Sequence, residues 1–185
     1  MKERTMNAKD SKCLIAYFSR PGNNYVSGRI VNLPVGNTEV VAKMIQEMTA
    51  GDLFHIEAVN AYPEDYTETT EVARDELRTN ARPKLTGHLE STASYDVIFL
   101  GYPNWWGTMP MPVFTFLEHY DFSGKIIVPF CTHEGSGLGR SVADIRKMCP
   151  QSTVLDGLAI RGGGVKNAQA DVSGWLQELG MKRGS

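Results

Sequence analysis

Cysteine is scarce and badly spaced for chemistry in this chain. Cys13, Cys131 and Cys149 are odd in number, far apart, and contain no C-x-x-C pair. That excludes a disulfide framework and a zinc site as organising features, and leaves the thiols as small buried apolar side chains. Histidine is thin as well: His55, His88, His119 and His133 are scattered, and no metal-binding spacing joins them. Neither sign of charge prevails, since 19 Lys and Arg stand against 21 Asp and Glu for a formal net charge of −2, and no stretch is dense in Lys or Arg. A nucleic-acid partner is therefore not expected. No apolar run approaches the roughly 20 residues of a membrane span, so no membrane insertion is expected. The polar head, residues 1–11, lacks the apolar centre of a signal peptide. A cytoplasmic protein is the expectation, monomeric or homodimeric. Repeats, low-complexity tracts and linkers are also missing. The 185 residues read as one domain over 12–180, with a disordered leader at 1–11 and a short tail at 181–185.

What is present is an alternation of strand-like and helix-like segments, about five times over. The apolar run Cys13 to Phe18 predicts a first strand, and Thr38 to Thr49, closed by Gly51, a first helix. Between them Pro21 to Val35 reads as an unusually long loop. Leu53 to Val59 predicts the second strand and Thr67 to Arg82 a polar helix. Tyr95 to Tyr102 predicts a third strand, apolar throughout as a strand covered on both faces must be. A loop over Pro103 to Met109 and a helix over Pro110 to Tyr120 follow, with proline tolerated in the first turn. The remaining elements are a strand over Lys125 to Cys131, a helix over Ser141 to Met148, a strand over Thr153 to Ile160, a glycine turn at Arg161 to Gly164, and a last helix over Ala168 to Leu179. Such alternation predicts an α/β fold, a doubly wound parallel sheet with helices on both faces.

In an open sheet of this kind ligands bind at the carboxyl ends of the strands, near a reversal of strand order. Three loops there are chemically distinctive. The first carries Ser19, Arg20, Asn37 and Thr38 before a helix N-terminus, whose unpartnered N–H groups and dipole favour an anion. Ser19 and Thr38 also suit the simpler task of ending a strand and capping a helix. The second is Pro103-Asn104-Trp105-Trp106-Gly107-Thr108, and the third runs from Thr132 through His133, Glu134, Gly135 and Gly137 to Gly139. An anion site, a tandem tryptophan and a polar glycine-rich loop suit a phosphorylated planar aromatic ligand. At least one of Trp105 and Trp106 is expected to face it, Trp106 being favoured because it precedes Gly107; Trp175, in the last helix, reads as core. Tyr25 reads as a surface aromatic outside the site.

These residues resemble the flavodoxins and flavodoxin-like FMN proteins. The resemblance spans Lys12 to Leu179. The family's T/S-x-T-G-x-T phosphate loop looks split here, with Ser19 before the insertion and Gly36-Asn37-Thr38 after it. Tyr102 to Thr108 resembles the family's second flavin loop, and Thr132 to Gly139 the third. The third loop lacks the tyrosine that covers the second flavin face, and the pI near 6.1 is milder than that of typical electron-carrier flavodoxins.

The resemblance implies a five-stranded sheet in the order 2-1-3-4-5, bound FMN and electron transfer through the flavin. It places the cofactor on Ser19, Arg20, Asn37, Thr38, Pro103 to Gly107, Thr132 to Gly135 and Gly137. It also makes Gly107 a hinge whose peptide can turn towards the flavin. Two partner sets follow, a redox partner protein or NAD(P)H with a small acceptor such as a quinone. A regulatory module on the same fold, such as a receiver domain, would need acids where the first strand ends Tyr17-Phe18-Ser19 and the third ends Gly101-Tyr102-Pro103, and they are absent.

Overall fold

The computed structural model describes residues 11–183. The expected leader therefore lies almost wholly outside the described residues. Strand β1 (Cys13–Tyr17) stands inside a parallel sheet between β4 (Asp52–His55) and β5 (Val97–Pro103). Strand β6 (Ile126–His133) follows β5, and two short strands, β7 (Thr153–Val154) and β8 (Leu158–Arg161), both pair with β6. Renumbered by βα unit, this is the expected order 2-1-3-4-5. The reversal beside β1 places the carboxyl ends of β1, β5 and β6 around one crevice.

Side chains alternate across the sheet, and both faces are covered. Leu14, Ala16, Ile98, Leu100 and Tyr102 face one core, shared with α3 (Met111–His119) and Ile145 of α4 (Ser141–Met148). Cys13, Ile15, Tyr17, Val97 and Phe99 face the other, against α1 (Asn37–Thr49) and α5 (Gln169–Glu178). Every residue of β1 is at most 5% exposed, which is why its sequence is apolar without alternation. The three cysteines are buried. Burial pushes Cys131 up to about 12 and Cys149 up to about 11, so both thiols stay protonated and unreactive.

Three expectations need correction. The long loop over Pro21 to Val35 is an antiparallel hairpin, β2 (Gly22–Val26) and β3 (Arg29–Leu33), which forms its own two-stranded sheet. Val26 pairs with Arg29 across Ser27 and Gly28, whose φ values of 52° and 84° are those of the type I′ turn that matches strand twist. The single fifth strand is split. Its pieces pair with Ile126 and Ile127 and then with Phe130 to His133. Between them lies Pro129, which has no N–H to offer the ladder. The glycine turn after β8 is a 3-10 segment, Gly162–Asn167. In addition, α2 (Tyr66–Arg78) ends earlier than expected, with Asn80 at φ 53°. At the chain's far end Met181 is buried, and Arg183 bonds to the carbonyls of Met48 and Ser11, so residues 181–183 pack onto the domain.

Candidate functional site

The loop after β1 and the first turn of α1 meet closely. A Cβ on Gly36 would stand 2.2 Å from Ser19 Oγ and 2.8 Å from the Arg20 carbonyl oxygen, so only glycine lets the two approach. Gly36 offers no side-chain cap to α1; Ser19, from across the hairpin, does so instead, its Oγ accepting from the Glu39 N–H at 3.0 Å. The capping oxygen and the expected anion site thus coincide. Ser19 accepts with its oxygen and keeps its hydroxyl proton for a ligand, while the first-turn N–H groups of Asn37 and Thr38 have no intrahelical acceptor.

Thr38, 2% exposed, shares a 2.8 Å hydrogen bond with Thr132 Oγ1 at the end of β6. One hydroxyl proton is consumed between them and the other remains to donate. Glu39 adds a carboxylate to the same turn, held by the Tyr17 hydroxyl at 3.1 Å and Lys43 at 3.5 Å, which keeps its charge paired.

The second loop is a tight turn. Trp105 and Thr108 exchange backbone hydrogen bonds at 2.9 and 3.3 Å, with Trp106 and Gly107 between them at φ 55° and 85°. Asn104 fixes it: its N–H donates to the Thr132 carbonyl, its side-chain amide to the Gly137 carbonyl, and its Oδ1 accepts from the Gly107 N–H. The Gly107 carbonyl accepts from the Arg140 N–H at 2.8 Å, and a Cβ on Gly139 would stand 2.2 Å from that oxygen. The expected hinge therefore has the positive φ that suits glycine, yet its N–H and carbonyl are both engaged. Turning the Gly107–Thr108 peptide breaks two hydrogen bonds, the one its carbonyl accepts from the Arg140 N–H and the one the Thr108 N–H donates to the Trp105 carbonyl.

The third loop is organised by His133 and Glu134. His133 Nδ1 accepts from the Gly135 N–H at 2.9 Å, which requires that nitrogen to be unprotonated. Burial, with Arg161 nearby, holds His133 below its ordinary value and Glu134 opposes the shift. Glu134 Oε2 accepts from the Ser27 N–H at the hairpin tip.

These loops enclose two adjoining cavities. The inner one, about 250 Å³, has a polar wall that includes Ser19, Asn37, Thr38 and Thr132. The outer one, about 390 Å³, lies against α2 at Thr69, Thr70 and Ala73. Trp105 borders both, packed edge-on against Phe18 and Tyr62 at 5.2 and 5.0 Å. Trp106 borders only the outer one; its Nε1–H donates to the Thr70 carbonyl and Arg74 lies 5.8 Å from its ring. Trp105 is thus the tryptophan on the polar cavity, against the expectation for Trp106.

Arg20 borders both cavities as well, but its guanidinium is engaged by backbone carbonyls: Asn23, and Pro63 and Glu64 at 2.6 and 2.7 Å. It braces the hairpin instead of reaching for an anion.

The remaining candidates, Pro103, Asn104, His133 and Glu134, border the inner cavity. Gly107, Gly135 and Gly137 line neither cavity; they take positive φ, 85°, 144° and 61°, in the loops that do. Sequence reasoning missed Asn24, Tyr25 and Tyr66, which border the inner cavity too. The signals were a Ser-Gly turn pair for the hairpin, and Asp65-Tyr66-Thr67-Glu68 for a helix start, where Asp65 does accept from the Glu68 N–H at 2.9 Å.

The donor set suits a phosphate ester: buried hydroxyls and helix N–H groups sit at the inner end, with an aromatic surface a short way along the same cleft. Fold and cleft together define a doubly wound α/β protein with a hydroxyl-lined cleft at the switch point of its sheet. The Flavodoxin family matches residues 12–179, and the chain belongs to it.

Similar solved structures agree. A flavoprotein from Bacteroides eggerthii is 28% identical with a TM-score of 0.76, over 94% of this chain and 100% of that one. One from Bacteroides uniformis is 26% identical with a TM-score of 0.69, over 90% and 98%. A flavoprotein from Lactobacillus acidophilus in complex with FMN, 22% identical with a TM-score of 0.60 over 86% and 99%, shares the fold. Among curated proteins none matches.

Proposed function

We propose that this protein binds FMN in the cleft at the carboxyl ends of β1, β5 and β6 and serves as a flavin-dependent oxidoreductase. The observation that carries the reading is the buried Ser19–Thr38–Thr132 hydroxyl set at the start of α1. Those residues and the first-turn N–H groups would hold the phosphate, and Trp105 would lie against the ring. Bound flavin supplies the redox chemistry; the protein binds, orients and excludes water. Family membership and the FMN complex of the Lactobacillus relative support the choice of cofactor.

Of the two jobs open to such a protein, reduction of a small planar acceptor by NAD(P)H is favoured over shuttling electrons between protein partners. The outer cavity, about 390 Å³ and bordered by both tryptophans, leaves room for a second small molecule beside the first. The Gly107–Thr108 peptide, held by the Arg140 N–H and the Trp105 carbonyl, does not offer a freely turning carbonyl. The test is steady-state oxidation of NADH or NADPH by FMN-loaded protein with a quinone as acceptor. Quinone-dependent turnover is expected. Stable flavin loading without turnover would restore the shuttle.

A further inference from the structure

We propose that the β2–β3 hairpin is a strap closed over the cofactor cleft, and that Tyr25 with Tyr66 forms the aromatic wall its third loop lacks. The inference rests on the FMN reading above and concerns how the ligand is retained.

The hairpin has no share in the central sheet and little core of its own. Among the described residues it pairs only with itself, and Ile30 on β3 is 52% exposed. A two-stranded hairpin of this kind is marginal alone in water. What holds it down is a row of contacts along one side of the cleft. At its base, Arg20 ties the Asn23 carbonyl to those of Pro63 and Glu64, in the segment leading into α2. At its middle, Tyr25 stacks on Tyr66 of α2, centroids 6.0 Å apart and planes 28° apart. At its tip, the Ser27 N–H, which the hairpin ladder does not use, donates to Glu134 of the third loop at 2.9 Å.

The strap thus runs from the first loop to the third, and both tyrosines border the polar cavity that Trp105 also borders. Tyr25 remains 42% exposed there, an amphipathic ring available to a second flat surface. The base is held by several Arg20 hydrogen bonds and the middle by an aromatic stack, whereas the tip, with Ser27 lying against Gly163, has one hydrogen bond, to one carboxylate. That bond is the natural point of release: with it broken, the strap lifts from the cleft while Arg20 keeps its base in place.

The test is the release rate of FMN from reconstituted protein, read as recovery of free-flavin fluorescence after a large dilution. Replacing residues 22–33 by two glycines should leave FMN binding in place but speed release about tenfold or more, and Tyr25→Ala should speed it about tenfold, the scale of one lost aromatic stack. Tyr25 is on an exposed hairpin, so its variant serves even if the deletion does not fold. Glu134→Ala should speed release in the intact chain and add nothing in the hairpin-less chain, because it acts through the strap.

Unchanged release in Tyr25→Ala and in the deletion overturns the proposal. An equal effect of Glu134→Ala with and without the hairpin also overturns it, by placing that carboxylate on the ligand. Wild-type protein that takes up no FMN would instead refute the underlying reading, and the strap with it.

Discussion

Thr38 and Thr132 sit on different loops, a helix start and a strand end, yet their hydroxyls touch at 2.8 Å in a buried place. Burying two hydroxyls costs little while they satisfy each other, and the proton left over is the one a phosphate would take. Thr38→Ala should weaken FMN by about 1–3 kcal/mol, the range of a charge-assisted hydrogen bond, and leave riboflavin nearly unaffected. Comparing the two ligands by titration checks this, and equal losses would remove Thr38 from the phosphate site.

Trp105 and Trp106 differ in the same concrete way. Trp105→Ala should cost FMN about 1–3 kcal/mol, by analogy with base–aromatic stacking. Trp106, pinned to Thr70 and Arg74, should matter less to FMN than to a small acceptor in the outer cavity. The reverse ranking in fluorescence titrations would restore Trp106 as the flavin's partner. Their adjacency on an irregular loop was legible in the sequence. Which one turns inward was not, because that depends on α2 supplying a carbonyl to the Trp106 indole.

Among the elements, the third loop carries a pH dependence. His133 accepts a hydrogen bond only when Nδ1 is unprotonated, and its folded value lies below the ordinary 6.5. A depressed histidine contributes stability that is full above pH 6.5 and lost as pH falls through its folded value. Wild type should therefore lose more thermal stability than His133→Ala between pH 7 and pH 5, measured without ligand so that phosphate titration does not intrude. Parallel melting curves would contradict this.

The order of the strands and helices was readable from the alternation of apolar runs and breaks, since each parallel strand needs a crossover helix. The hairpin was not. Its strands alternate weakly, carry three asparagines, and pair with each other instead of with the sheet, so hydrophobic periodicity had nothing to report. The split of the last strand was equally hidden, because its cause, Pro129, lies in the neighbouring strand.

For the whole molecule, the sheet's reversal beside β1 brings three loops to one crevice, and the helix start at Gly36 aims its first N–H groups into it. The near-neutral balance of charge provides no strong field to gather an anion from afar, so recognition must come from local donors. Tyr25 and Tyr66 escaped the sequence reading for a related reason: only the folded chain brings the insertion and the start of α2 together over the crevice.

The most direct measurement is a calorimetric titration of ligand-free protein with FMN and, in parallel, with riboflavin. FMN should bind, and riboflavin, lacking the phosphate, should bind at least about tenfold more weakly, a difference of about 1.4 kcal/mol. Failure of FMN to bind, or equal affinity for the two, would contradict the proposed FMN site.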